Sequence, residues 1–375
     1  MRHDGKKAPV SEIRAFTEEH VGEVATLFLR AMRGRRAAPG TALQNYFREI
    51  FFSNPWASAD LPSLVYLSEG AVAGFLGVVP RPMEFRGKPI RAAVATQFMV
   101  DRERYRGPAA FELLKRYFAG PQDLSFTDGA AEATHPLWSA AGGWGAPLYS
   151  FNWMRPLRPA GTARAFAHRT TGLIRLATTA VTCFAPPLDY VLSKMPHEAL
   201  RPPVSNCASR PVDAARLFEW IRETPSRDPL RPAYDRSSFE WLLSQAARAR
   251  CNGDLRMATV HAPDGALCGW YICYTQPRGA ASLLQIGVRR RDQFDAVLRA
   301  FFREAWEQGC SFAKGQALPH FLVNLSNEYC LFRMANTSTL FHTRDGELKE
   351  TILSGQAALS RLDGECWLRF AVEDW

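Results

Sequence analysis

Two stretches of this chain, 195 residues apart, carry the same punctuation. Gly70-Ala-Val-Ala-Gly74-Phe75 lines up with Gly265-Ala-Leu-Cys-Gly269-Trp270. Each follows an apolar run, "LVYLSE" in the first case and "MATVHAPD" in the second. Apolar segments on both sides of a glycine-bearing break predict a pair of strands joined by a tight turn. A helix-like segment precedes each pair, "QNYFREIFFSN" and then "RSSFEWLLSQ". At 375 residues the chain is too long for one small core, and the repeated order predicts two copies of one α/β unit.

The first copy is the more legible. "SEIRAFT" reads as a strand, and Val21, Val24, Ala25, Phe28 and Met32 recur at helical spacing after it. A second helix starts at Thr41, the hairpin follows, and "KPIRAAVATQFMV" is a further strand. After a turn, Phe111, Leu114 and Phe118 mark the buried face of another helix. "DLSFTDGA" is a strand, "EATHPLWSAAGG" a short helix and "PLYSFNWMRPL" the closing strand. Residues 1–10 read as a loose tail and 11–158 as the first unit. Residues 159–211 read as a helical connection, and 212–375 as a second, degenerate unit. In the latter, "AASLLQIGV" is a strand and "DQFDAVLRAFFREAWEQG" a helix with one apolar face.

One turn carries ligand chemistry. Arg104-Tyr105-Arg106-Gly107-Pro108-Ala109 lies between an apolar strand and a good helix. The first turn of a helix has unpaired backbone N–H groups and the positive end of the dipole. Gly107 has no Cβ and Ala109 a small one, so an anion can approach the backbone there. Arg104 and Arg106 add positive charge, and Pro108 suits the first helical position.

The rest of the composition narrows the setting. A net charge of +9 suits an anionic partner, but the basic residues are scattered and form no long block. The eight cysteines include no C-x-x-C and no zinc-like Cys/His spacing, so no metal site is expected. The N-terminal residues have no apolar core of a leader peptide, which predicts a cytoplasmic, reducing location. Residues 163–185 are apolar enough for peripheral membrane contact, yet too short and too interrupted by Arg175 to span a bilayer.

Element order and the Arg104-x-x-Gly107-x-Ala109 turn together resemble the GNAT superfamily of acyl-CoA-dependent N-acyltransferases. The later stretch Trp138-Ser-Ala-Ala-Gly-Gly-Trp144 is similar to the family's helix and following Gly-Phe pattern. The resemblance covers about residues 11–158 and extends to 212–345 through the repeat. It implies an α/β (α+β) fold of two GNAT-like domains, each a mixed, splayed central sheet flanked by helices. Acetyl-CoA or another acyl-CoA would lie in the opening, with its diphosphate on Arg104, Tyr105, Arg106, Gly107, Pro108 and Ala109. A backbone N–H near Phe98, Met99 or Val100 would polarise the thioester carbonyl, and an amine, small molecule or peptide, would attack directly.

Two departures stand out. The family's catalytic Tyr position is Trp138, whose indole is no acid, and the fourth strand offers Thr96 and Gln97 in place of a Glu. His135, Asp128 and Glu132 are the candidate substitutes for acid and base. The second copy has "GVRRRDQF" where a phosphate turn belongs, so acyl-CoA is assigned to the first copy only. Two further readings stay open. One is aminoacyl transfer from aminoacyl-tRNA, as in the Fem family, against which the retained turn argues. The other is a non-catalytic pair that binds CoA or a protein partner.

Overall fold

The computed structural model describes residues 11–103, 105, 107–167, 185–195, 197–223, 226–334 and 337–369. Arg104, Arg106 and most of 163–185 lie outside the described residues. In chain order, β1 is Ser11–Ala15, α1 Val21–Arg33, α2 Thr41–Phe51, β2 Leu64–Ser68, β3 Ala71–Phe85 and β4 Lys88–Val100. Then come α3 Ala109–Phe118, β5 Leu124–Ala131, α4 His135–Ala140, β6 Trp144–Gly145 and β7 Phe151–Pro156. The second half supplies β8 Ala208–Pro211, β9 Leu230–Pro232, β10 Asp254–His261, β11 Leu267–Thr275 and β12 Ala280–Val288. It ends with β13 Phe312–Gln316, β14 Leu331–Met334 and β15 Thr337–Thr343.

The repeat is a structural one. β2 and β3 pair antiparallel, as do β10 and β11. Gly70 and Gly265 sit at φ of 80° and 84°, backbone that favours glycine, so each turn is tight. A mixed sheet grows from each hairpin. The first runs β1-β2-β3-β4-β5-β15-β6, with β9 beside the far end of β3. The second runs β14-β7-β13-β12-β11-β10-β8.

The two sheets exchange strands. β7, read from sequence as the last strand of the first unit, instead pairs with β13 and β14 in the second sheet. β15 lies in the first sheet between β5 and β6. Strand patterns give the alternation of a strand but not its partner, so the swap left no mark in the sequence.

Packing follows from apolar faces. α1 and α2 bury Phe28, Phe47 and Phe51 against Phe75 of β3. That same core continues into Phe218, Phe239, Trp270 and Trp367, so it joins both halves. α3 and α4 cover the opposite face of the first sheet, and helix Phe294–Glu307 covers the opposite face of the second. In α3 the buried face is Ala109, Leu113, Leu114, Tyr117 and Phe118, while Phe111 is exposed. The apolar stripe is therefore turned away from Phe111 toward the small Ala109 side. Met32 at the end of α1 is likewise exposed. No helix among the described residues is long and apolar enough to cross a membrane.

Candidate active site

β4 and β5 pair in parallel only from Ala92↔Leu124 to Val94↔Phe126. Beyond that point β4 follows β3 and β5 follows β15, so the sheet opens. The divergence begins beside a bulge: Phe75 pairs with Met99 and Gly77 with Thr96, leaving Gln97 and Phe98 opposite Leu76. Gln97 takes φ 50°, unusual for a side-chain-bearing residue, and its amide donates to Tyr46 Oη at 3.0 Å. Gly77 is needed next to it, because a Cβ there would stand 2.7 Å from the Phe51 ring. The bulge turns Phe98 and Val100, both half-buried, along the edge of the opening.

A turn near the end of the chain, residues 360–366, fills the inner part of this opening. Asp128 of β5 anchors it. Arg361 donates to the Asp128 carbonyl at 2.9 Å and to its carboxylate at 3.2 Å, and to Asn152 at 2.7 Å. The Glu365 amide and the Cys366 thiol donate to the same carboxylate at 2.8 and 3.3 Å. From the other side Arg81 lies between the Trp56 and Trp367 rings and donates through Nε to the Asp363 carbonyl at 3.3 Å. Two absent side chains allow the fit. A Cβ on Gly364 would overlap the Asp128 carboxylate, and one on Gly129 would overlap the Glu365 carboxyl.

Glu365 is thereby held inside the opening. It is 8% exposed and accepts a hydrogen bond from Thr127 Oγ1 of β5 at 2.8 Å. Burial, and then the nearby Asp128 charge, push its carboxyl up to about 7. The Thr127 and Thr96 hydroxyls and Arg361 oppose that rise. A carboxyl that exchanges its proton near neutrality, between two strands that part, is equipped to accept a proton from an amine. Sequence reasoning passed over it. The available signal was "LSRLDGECWLRF", where Asp363 and Glu365 stand within two residues of Leu362, Cys366 and Trp367.

The turn between β4 and α3 is folded on Asp101, which pairs with Arg30 and accepts the Glu103 amide at 3.2 Å. The Tyr105 amide donates to the Asp101 carbonyl at 2.8 Å. The Tyr105 ring lies over Gly107, where any Cβ would overlap it, and its hydroxyl meets Tyr66 Oη at 2.5 Å. Partial burial and that hydrogen bond push the Tyr105 phenol up to about 12. Gly107 is thus required by the Tyr105 ring, a reason not foreseen from the motif. Pro108 is the capping residue rather than the first helical one, and Ala109 begins the helix. The amides of Gly107, Ala109, Ala110 and Phe111 have no hydrogen-bond partner among the described residues, and Gly107 is exposed. An anion can therefore reach the helix start along its amide edge, while Tyr105 covers the Cα face of the glycine.

The expected acid–base residues are split: Asp128 lies beside Glu365, while Glu132 and His135 are on the surface. Asp128 is buried, with three groups donating to its carboxylate. Glu132 is exposed on the connection after β5, and His135, also exposed, begins α4. His135 Nε2 lies over Gly145, 2.8 Å from where a Cβ would stand. Trp138 is 1% exposed, donates to the Phe341 carbonyl at 3.0 Å and packs edge-on to Phe118. It is a core residue that ties α4 to β15.

No family model matches this sequence, and no curated protein is similar to it. Solved structures share its architecture. One is a probable N-acyltransferase from Enterococcus faecalis, 12% identical, with a TM-score of 0.57 over 90% of this chain and 73% of that one. Another is a GCN5-related N-acetyltransferase from Anabaena variabilis, 11% identical, with a TM-score of 0.56 over 90% and 73%. A third is N-myristoyltransferase of Saccharomyces cerevisiae with bound myristoyl-CoA, 14% identical, TM-score 0.50, over 90% and 79%. At these identities the likeness is one of fold.

Proposed function

From the premise of a paired GNAT-type fold, we propose that the protein is an acyl-CoA-dependent N-acyltransferase acting on a primary amine. The observation that carries this reading is Glu365, a buried carboxyl with a proton affinity near neutrality, set where β4 and β5 part. The thioester supplies an activated acyl group, so that a C–N bond forms to the amine while the C–S bond breaks and thiolate leaves. Glu365 takes the proton that the amine sheds as its lone pair attacks the thioester carbon, a role that Thr96 and Gln97 of β4 cannot fill because neither titrates. The bulge at Gln97 and Phe98 sets the strand edge along which the thioester arm would lie, and a backbone N–H near Phe98, Met99 or Val100 would face the acyl oxygen. The amides at the start of α3, without a partner among the described residues, would hold the diphosphate together with Arg104 and Arg106, nearby in sequence. Trp138 offers no proton to the leaving thiolate, which is stable enough to depart unprotonated. Acetyl-CoA is the first donor to try, and longer acyl chains the alternative.

The test pairs binding with turnover. Thermal melts with CoA and acetyl-CoA should shift upward by mass action, and thiol release should depend on added amine. Gly107→Asp should abolish the shift, since an acid then faces the diphosphate; its Cβ also displaces the Tyr105 ring, so the shift is read against the variant's own, lowered melt. An unchanged shift in that variant refutes the phosphate assignment. A shift with CoA but no thiol release across an amine panel would favour a non-catalytic pair.

A further inference from the structure

The exposed apolar side chains of this protein are gathered rather than scattered. Among the described residues twelve large ones are exposed, and all but Met32 and Phe111 fall within 188–204 or 323–334. The two segments meet at Tyr329, whose ring centre lies 5.8 Å from that of His197 and whose hydroxyl donates to Glu198 at 3.3 Å. Single exposed apolar residues need no cause, but a gathered patch marks an interaction surface.

Both segments face water with the wrong side chains. Helix Ala185–Leu192 turns its carboxylate inward: Asp189, half-buried, accepts the Ala160 and Gly161 amides at 2.7 and 3.0 Å, at the start of helix Pro159–Ala167. Its outward side chains include Leu188, Tyr190 and Val191, the last two 66% and 60% exposed, and exposed Met195 follows just beyond. A helix with its acid toward the protein and its apolar residues toward solvent reverses the usual amphipathic arrangement. β14 is the edge of the second sheet, paired only with β7, and all four of its residues are exposed. Edge strands are usually guarded by charge, yet beside Leu331, Phe332 and Met334 only Arg333 supplies one.

The charges on these segments are mostly of one sign. Lys194, Arg201 and Arg333 are exposed and form no ion pair among the described residues. Glu198 is the single exposed carboxylate of the two segments, since Glu328 is buried between Arg155 and Arg299. The sequence leading into the helix adds no acid, for none occurs between Glu132 and Asp189. These charges select the occupant. A second copy related by two-fold symmetry would bring a like-charged patch against itself. A partner strand added to β14 would leave the helix uncovered. An anionic lipid surface matches the whole patch, with headgroup phosphates for the cations and the acyl boundary for the apolar side chains. The Tyr190 and Tyr329 rings suit the interface between the two. We propose that helix Ala185–Leu192 and β14 together form a face that docks on an anionic bilayer, lying on it rather than spanning it. In sequence this face follows the 163–185 stretch, most of which lies outside the described residues. Docking does not depend on the acyltransferase reading.

The test is co-sedimentation of the full chain with vesicles of phosphatidylcholine alone, or with about one-third phosphatidylglycerol. Binding to the anionic vesicles should be at least about tenfold tighter than to the neutral ones, and should weaken by about tenfold between about 0.1 M and about 0.5 M salt. Val191→Asp and Phe332→Asp should each weaken it at least about tenfold, because each sets a carboxylate against the lipid. Lys194→Glu should weaken binding to anionic vesicles only, and Met32→Asp, outside the face, should change neither. No sedimentation with either vesicle refutes the proposal on the unaltered protein. Equal binding to both vesicles refutes the role of the cations. Full binding by both aspartate variants refutes the location. Sedimentation velocity without lipid supplies the remaining check: a monomer supports the lipid face, whereas a dimer that Val191→Asp dissociates assigns the face to a second copy and overturns it.

Discussion

Glu365→Gln is the most informative change, because it alters charge at nearly constant shape. Glutamine keeps an oxygen for the Thr127 hydroxyl and fits the space left by Gly129. The native carboxyl is raised from an ordinary 4.5 to about 7. At ~1.4 kcal/mol for each tenfold in proton affinity, that rise amounts to roughly 3 kcal/mol. The folded chain holds this proton more tightly than the unfolded chain does. Its contribution to stability is therefore intact below pH 4.5, declines as pH rises and is gone above about 7. Glutamine has no such proton to lose. The variant should match the native protein in acid and exceed it by up to roughly 3 kcal/mol near pH 8 in urea unfolding. Turnover should fall by about 10²–10⁴, and the native rise in rate through neutrality should disappear. Parallel stability curves for the two proteins from pH 5 to 8 would refute the buried-proton argument. Undiminished turnover would refute the catalytic one.

Gly129→Ala places a methyl group against the Glu365 carboxyl. It should cost ~1–3 kcal/mol by overpacking and lower turnover by displacing the carboxyl, measured by melting and thiol release. Asp128→Asn leaves Arg361, 11% exposed, without its ion-pair partner. A loss of ~3–5 kcal/mol is expected in denaturant unfolding. Because the Asp128 charge raises Glu365, the pH–rate midpoint of any folded Asp128→Asn protein should also move below 7. A rate lost at every pH with no movement of the midpoint would instead mark Asp128 as the base.

Much of the architecture was legible. "KPIRAAVATQFMV" became β4 and "AASLLQIGV" became β12 residue for residue, because apolar content and turn residues act locally. The two glycine-bearing hairpins were visible for the same reason. What escaped was non-local. β7 has the pattern of a strand, but nothing in Phe151–Pro156 says that its neighbours are β13 and β14. The site shows the same division. The turn before α3 was singled out for its glycine and its helix, whereas the Tyr105 ring over Gly107 left no sign in the sequence. Asp128, Glu132 and His135 were picked for lying close in sequence to the expected strand. Glu365 reaches Thr127 across a separation of 238 positions, a distance no motif spans.

The exchange of β7 and β15 also sets a schedule for the newborn chain. The slot between β5 and β6 cannot be filled until Thr343 has left the ribosome, roughly 200 residues and on the order of ten to forty seconds after Ala131. For that interval the outer edge of β5 is an unpaired row of amides and carbonyls, open to strands of other nascent chains. Shielding of the half-made polypeptide is thus most needed while its middle is being translated, and a gene cut after residue 158 would deliver two fragments each missing a stave.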